Sequence, residues 1–243
     1  MKKYRDRITS FLLSLALTAG LCVPAALAAQ STPPESTESP APVPVTPKEP
    51  VESEILNSMQ VEATAAILVD VGTGTVLYEY NAHEQRYPAS ITKVMTALLV
   101  LEAVDQGQIS LDQMVTLTSD LYQDIGEGGS SADLRVGEQL SVLDLLYCVL
   151  LPSANEACTA LAQVVSGSID AFVEQMNQRA QELGMEGTHF TNTHGYHNDD
   201  HYTTAYDIYL MCQAAMEHET FRAITSSRSH DLPATGSHEV RTI

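Results

Sequence analysis

Ser90 and Lys93 stand three residues apart in Pro88-Ala89-Ser90-Ile91-Thr92-Lys93, a spacing that places a hydroxyl and an amine on one face of a helix. Those two groups together can do acyl transfer. A serine hydroxyl is a weak nucleophile until a positioned base takes its proton, and an amine becomes such a base when its pKa falls. Lys93 runs into Val94, Met95, Ala97, Leu98, Leu99, Val100 and Leu101, an apolar setting that strips hydration and disfavours the charged form. It is also the only lysine after Lys48, so its place in a buried helix calls for a reason. A helix starting at Ser90 would aim free N–H groups and a positive dipole end at developing negative charge. By itself, however, Ser-x-x-Lys is equally an N-cap serine followed by a snorkelling lysine.

Further stretches bear on the choice. Leu151-Pro152-Ser153-Ala154-Asn155-Glu156-Ala157 joins two helical patterns, Gly129-Ser130-Ser131 precedes Gly137-Glu138, and Thr188 to Gly195 reads His-Phe-Thr-Asn-Thr-His-Gly after its first residue. Ser153 and Asn155 taken alone are a turn serine and a helix-start asparagine. His194 has no spacing that ties it to Ser90 and reads as a structural loop residue. His189, His194, His197 and His201 with Asp199 and Asp200 lack the helical His-Glu-x-x-His arrangement, so no metal is expected.

In combination these segments resemble the low-molecular-mass penicillin-binding proteins, the serine-type D-alanyl-D-alanine carboxypeptidases. Pro88 to Ala97 looks like their first motif, Ser153-Ala154-Asn155 like their Ser-x-Asn motif, and Gly129 to Glu138 like the loop between. Ser-x-x-Lys is itself a known signature of these enzymes and of β-lactamases. The resemblance implies that Ser90 attacks the D-Ala-D-Ala carbonyl with Lys93 as base, forms an acyl-enzyme and releases the terminal D-alanine. It implies that Ser153 relays a proton to the leaving amine, and that Asn155 binds the substrate amide and holds the Lys93 amine. The partners it implies are peptidoglycan stem peptides and, as inhibitors, β-lactams; no cofactor is implied.

The elements that must position these residues follow from the pattern. Ala63 to Asp70 and Thr75 to Tyr80 flank Val71-Gly72-Thr73-Gly74 and predict a hairpin. A helix apolar on nearly all sides runs from Ser90 to about Ala103. Ser141 to Asp144 offers a capping box for a helix to about Leu151, and helices are expected at about 155–165 and 169–183, the second stopped by Gly184. A short strand is expected at Thr188 to Thr191, and Thr204 to Asp207 offers a second capping box for a helix to about Met216. The expected fold class is α/β (α+β), like that of β-lactamases and penicillin-binding proteins: an antiparallel sheet flanked by helices, plus a helical lobe.

Three segments are expected along the chain. Lys2, Lys3, Arg5 and Arg7 followed by an apolar run and Ala26-Leu27-Ala28 predict an export signal over 1–28. Residues 29–58, with seven prolines between Gln30 and Pro50, predict an extended spacer. Residues 59–243 form the catalytic domain. The protein is therefore expected outside the cytoplasm, at the cell wall or the outer membrane face, attached to a membrane only through an uncleaved signal or a segment beyond Ile243. A net charge of −19 argues against nucleic acid and anionic lipid as partners. Cys148, Cys158 and Cys212 are expected as buried thiols rather than ligands, with one disulfide among the three as the alternative.

The resemblance also implies a Lys-Thr-Gly strand lining the site, and no lysine follows Lys93. The expectation is a chain truncated before that motif, with the remaining strands missing. The alternatives are a β-lactamase-like hydrolase, disfavoured by the absence of a Glu-x-x-Leu-Asn segment after Asn155, and a non-catalytic wall- or β-lactam-binding homologue.

Overall fold

The computed structural model describes residues 61–123 and 125–243; the expected export signal and spacer lie outside them. The hairpin forms as strands β1 (Ala66–Asp70) and β2 (Thr75–Tyr80), antiparallel, with Ala66 opposite Tyr80 and a bulge at Leu68/Val69. Gly74 closes the turn with a φ of 69°, a left-handed conformation that glycine adopts without strain.

A 3₁₀ turn, Ala89–Thr92, leads into helix α1, Lys93–Asp105. Around α1 pack α2 (Val142–Leu150), α3 (Asn155–Ser166), α4 (Ile169–Glu182), α5 (Ala205–Glu217) and α6 (Glu219–Thr225). Met95, Ala97, Leu98 and Val100 are fully buried, as an all-round apolar helix requires. Removing such apolar surface from water stabilises a fold by about 25 cal/mol per Å².

The helix signals act largely as expected. Ser141 and Asp144 cap α2 reciprocally, and Gly184 adopts a φ of 77° just past α4. The second box forms only in part: Thr204 Oγ1 accepts from the Asp207 amide at 3.0 Å, whereas the Asp207 carboxylate accepts from the Gly187 amide and the Thr188 hydroxyl. That carboxylate thus ties the 187–188 turn to α5 instead of closing the cap.

One strand expectation needs correction. Thr188 to Thr191 is not a regular strand; only His189 pairs there, in a single antiparallel bridge to Tyr202, because the side-chain bonds of Thr188 and Thr191 hold the segment irregular. The expected combination of helices with antiparallel strands is present, and among the described residues the strands form three separate two-stranded pairs. Beside the hairpin these are β3 (Met114–Thr116) with β4 (Gln139–Ser141), and β5 (Asp231–Leu232) with β6 (Arg241–Thr242). Cys148 and Cys158 are buried, Cys212 is half-buried, and all three are free thiols.

Candidate active site

The 3₁₀ turn decides where Ser90 points. Three residues per turn bring positions i and i+3 into line, and Lys93 Nζ lies 3.1 Å from Ser90 Oγ. Ser90 is exposed while Lys93 is 2% exposed, so the hydroxyl meets solvent and its partner amine does not. Burial pushes the Lys93 pKa down, with the Cys158 and Glu156 side chains opposing that shift. The pair has the parts of an activated nucleophile: an accessible hydroxyl and a desolvated amine within reach.

Two features hold the turn in place. Ala89 takes a φ of 47°, a conformation that costs an L-residue about 1–2 kcal/mol. Gly195, at a φ of 85°, packs directly on Ala89, and any side chain there would collide with the Ala89 carbonyl and the Thr92 hydroxyl. The neighbouring His194 carbonyl accepts a 2.8 Å hydrogen bond from Lys93 Nζ. The 193–195 segment is fixed in turn by Thr96 Oγ1, which donates to the Thr193 carbonyl at 2.5 Å, and by Asn192 Oδ1, which accepts from Gly195 N.

Behind the turn lies His201, 2% exposed. Its Nδ1 accepts from the Thr191 amide at 3.1 Å, so its proton sits on Nε2, which donates to Thr92 Oγ1 at 2.8 Å. Burial lowers the pKa of both His201 and His194 to about 4. His194 carries its ring inward, where Nδ1 accepts from the Tyr196 amide. The sequence expectation of a structural role for His194 therefore gains a specific content: its carbonyl, not its imidazole, meets Lys93.

The Ser153–Asn155 segment enters from the α2–α3 junction. Ser153 has a φ of 63°, and its buried hydroxyl has no hydrogen-bond partner among the described residues. Asn155, 4% exposed, opens α3; its amide donates to the Ser130 carbonyl at 2.9 Å, and a side chain on Gly129 would collide with its Nδ2. The Gly129–Ser131 loop thus lies directly on Asn155. Contrary to the role expected for Asn155, the amine of Lys93 is held by Ser90 and the His194 carbonyl, and Asn155 is not among its hydrogen-bond partners. Among the described residues no group of three or more His, Cys, Asp or Glu side chains is placed to hold a metal.

Known proteins are similar to this chain in sequence and fold. Residues 50–235 match the Peptidase S11 family model, described as D-alanyl-D-alanine carboxypeptidase. The D-alanyl-D-alanine carboxypeptidase DacF of Bacillus subtilis is 39% identical over 68% of this chain and 42% of its own length. DacA of Escherichia coli is 38% identical over 64% of this chain and 39% of its own length. Among solved structures, penicillin-binding protein 5 of Haemophilus influenzae superimposes with a TM-score of 0.68 at 32% identity, covering 71% of this chain and 50% of that one. The Streptomyces K15 DD-transpeptidase gives 0.69 at 32% identity, covering 76% of this chain and 72% of that one. The chain spans about two-fifths of the length of these two curated relatives.

Proposed function

Because the chain belongs to the Peptidase S11 family of D-alanyl-D-alanine carboxypeptidases, we propose that it is part of an exported serine enzyme that removes the terminal D-alanine from peptidoglycan stem peptides. The observation that carries this reading is the exposed Ser90 hydroxyl 3.1 Å from the buried amine of Lys93. In the neutral amine the lone pair accepts the Ser90 proton while one N–H donates to the His194 carbonyl, so the base is aimed before substrate arrives. Ser90 Oγ then bonds to the carbonyl carbon of the penultimate D-alanine, and the peptide C–N bond breaks as the leaving amine takes a proton.

Ser153 is the proposed proton relay, since its hydroxyl has no partner among the described residues and a group that must donate in the reaction is free to do so. Asn155 is proposed to bind the substrate amide, with the Gly129–Ser131 loop setting its position. Water completes the cycle by cleaving the Ser90 ester, freeing the shortened peptide. β-Lactams, which present a strained amide to the same serine, are proposed as inhibitors. The site of action proposed is the extracytoplasmic wall. The N-terminal basic and apolar run supports it, and no helix among the described residues is long and apolar enough to cross a membrane.

The direct test is D-alanine release from a peptide ending in D-Ala-D-Ala by the full-length gene product. Release that disappears in Ser90→Ala supports the reading. Release that persists in that variant removes Ser90 from it.

A further inference from the structure

Resting on this acyl-transfer reading, we propose that Tyr196 determines specificity on the acyl side of the scissile bond: its ring spans from the segment that packs on the Ser90 turn to the loop that lies on Asn155, and takes the side chain that precedes D-Ala-D-Ala.

Tyr196 is rooted on the Ser90 side. Gly195, the residue before it, packs on the Ala89 carbonyl beside Ser90, and His194 gives its carbonyl to Lys93. Both polar groups of the Tyr196 backbone are engaged: its amide donates to His194 Nδ1 at 3.1 Å, and its carbonyl accepts from Asn192 Nδ2 at 2.8 Å. The backbone is thus pinned, and the side chain alone is left to move.

The tip of the ring rests on the other side. A side chain on Gly126 would collide with Oη, Cζ and Cε1 of Tyr196, and the Gly126 carbonyl accepts from the Gly129 amide at 3.4 Å. Gly129 in turn lies against Asn155 Nδ2. The far end of this loop is held by Glu156, whose Oε1 accepts from the Ser131 hydroxyl and the Ala132 amide, each at 2.7 Å. One phenol therefore links the segment that holds Lys93 to the loop that lies on Asn155.

A substrate whose scissile carbonyl meets Ser90 and whose amide meets Asn155 must run past this ring. Tyr196 stays 39% exposed, whereas a ring that only filled a gap between two loops would be buried. Its free face offers a flat apolar wall, suited to an aliphatic or aromatic group on the acyl side.

Benzylpenicillin and 6-aminopenicillanic acid carry the same strained amide, and only the first has a phenylacetyl group where the stem peptide would continue. The test measures acylation of the full-length gene product by both and takes the ratio of the two second-order rates. Tyr196→Ala should lower the benzylpenicillin preference roughly tenfold, as loss of an aromatic pair does, and Tyr196→Phe should keep it. Gly126→Ala pushes the ring aside without removing it, so it should lower the ratio too, and the double variant should lie no lower than Tyr196→Ala alone.

A ratio that Tyr196→Ala leaves unchanged or raises overturns the assignment, even where both rates fall, since a purely structural role would lower them together. A ratio lost equally in Tyr196→Phe, or effects of the two alanine variants that add, overturns the role of the ring on Gly126. If Tyr196→Ala fails to fold, the ratio in Gly126→Ala decides.

A wild-type protein that benzylpenicillin does not label defeats the acyl-transfer reading instead. Tyr196 is then judged by NMR titration of Ser90→Ala, with and without Tyr196→Ala, using acetyl-L-lysyl-D-alanyl-D-alanine and acetyl-D-alanyl-D-alanine. A roughly fivefold loss of preference for the longer peptide supports the assignment; an equal preference, or no binding of either peptide, overturns it.

Discussion

The amine of Lys93 donates a 2.8 Å hydrogen bond to the main-chain carbonyl of His194, a residue 101 positions away in sequence. That bond ties the start of α1 to the 193–195 segment, and among the described residues the amine's other hydrogen-bond partner is Ser90.

The lowered Lys93 pKa has a consequence for stability. At low pH both folded and unfolded chains hold the proton, and the folded state bears the full cost of a buried cation. Between the depressed value and 10.5 only the unfolded chain stays protonated, so stability rises with pH across that window. Denaturant unfolding of wild type and Lys93→Met should show the wild type gaining on the variant as pH rises toward 10.5. A difference that stays flat contradicts the burial of an ionisable amine.

Gly195→Ala places a methyl group where the Ala89 carbonyl already lies, at a φ of 85°. The turn carrying Ser90 must shift or the 193–195 segment must move away from Lys93. The variant should lose about 1–3 kcal/mol of stability, and acylation by a β-lactam should fall roughly a hundredfold, as small misplacements at a reacting centre do. Stopped-flow acylation with parallel unfolding curves measures both; wild-type acylation would show that the contact does not position Ser90.

How far these features were legible in sequence depends on what carries each one. Ser90, Lys93, Ser153 and Asn155 stand in patterned residue types, and the capping signals at Ser141 and Gly184 are local, so sequence located them. The lysine acceptor is a backbone carbonyl, which any residue at position 194 would supply, so no residue type announces it. β3 and β4 are three residues each, too short for a two-residue period to stand out, and β4 runs straight into α2. Asp207 follows the capping pattern, but the carboxylate answers to Gly187 and Thr188, a choice only the tertiary fold makes. Glu156 appeared merely as the flank of a motif, because its partners at 131 and 132 come together with it only in the fold.

Ser153→Ala should separate activity from stability. The buried Ser153 hydroxyl has no partner among the described residues, and such a group costs about 1–3 kcal/mol, so its removal should leave the protein as stable or up to about 1 kcal/mol more stable. As the proposed proton relay, it should cost roughly a hundredfold in D-alanine release. Thermal denaturation and turnover on the same sample decide it; unchanged turnover would remove Ser153 from the reaction.

His194 and His201 predict sensitivity to acid. Each is held near 4, against 6.5 for a free histidine. Between those values the unfolded chain binds the extra protons, so stability falls as pH drops from 6.5 toward 4 and is fully present above that window. His201→Gln should flatten the slope by about one proton, measurable by urea unfolding at stepped pH. A slope equal to wild type would mean that His201 is protonated in the folded protein.

The central claim, that Ser90 is an acylatable nucleophile served by Lys93, is tested most directly by intact mass after incubation with benzylpenicillin, followed by peptide mapping. The prediction is a gain of one benzylpenicillin on the peptide containing Ser90, absent in Ser90→Ala and severely slowed in Lys93→Met. A folded full-length protein that gains no mass, or gains it at another residue, contradicts the account.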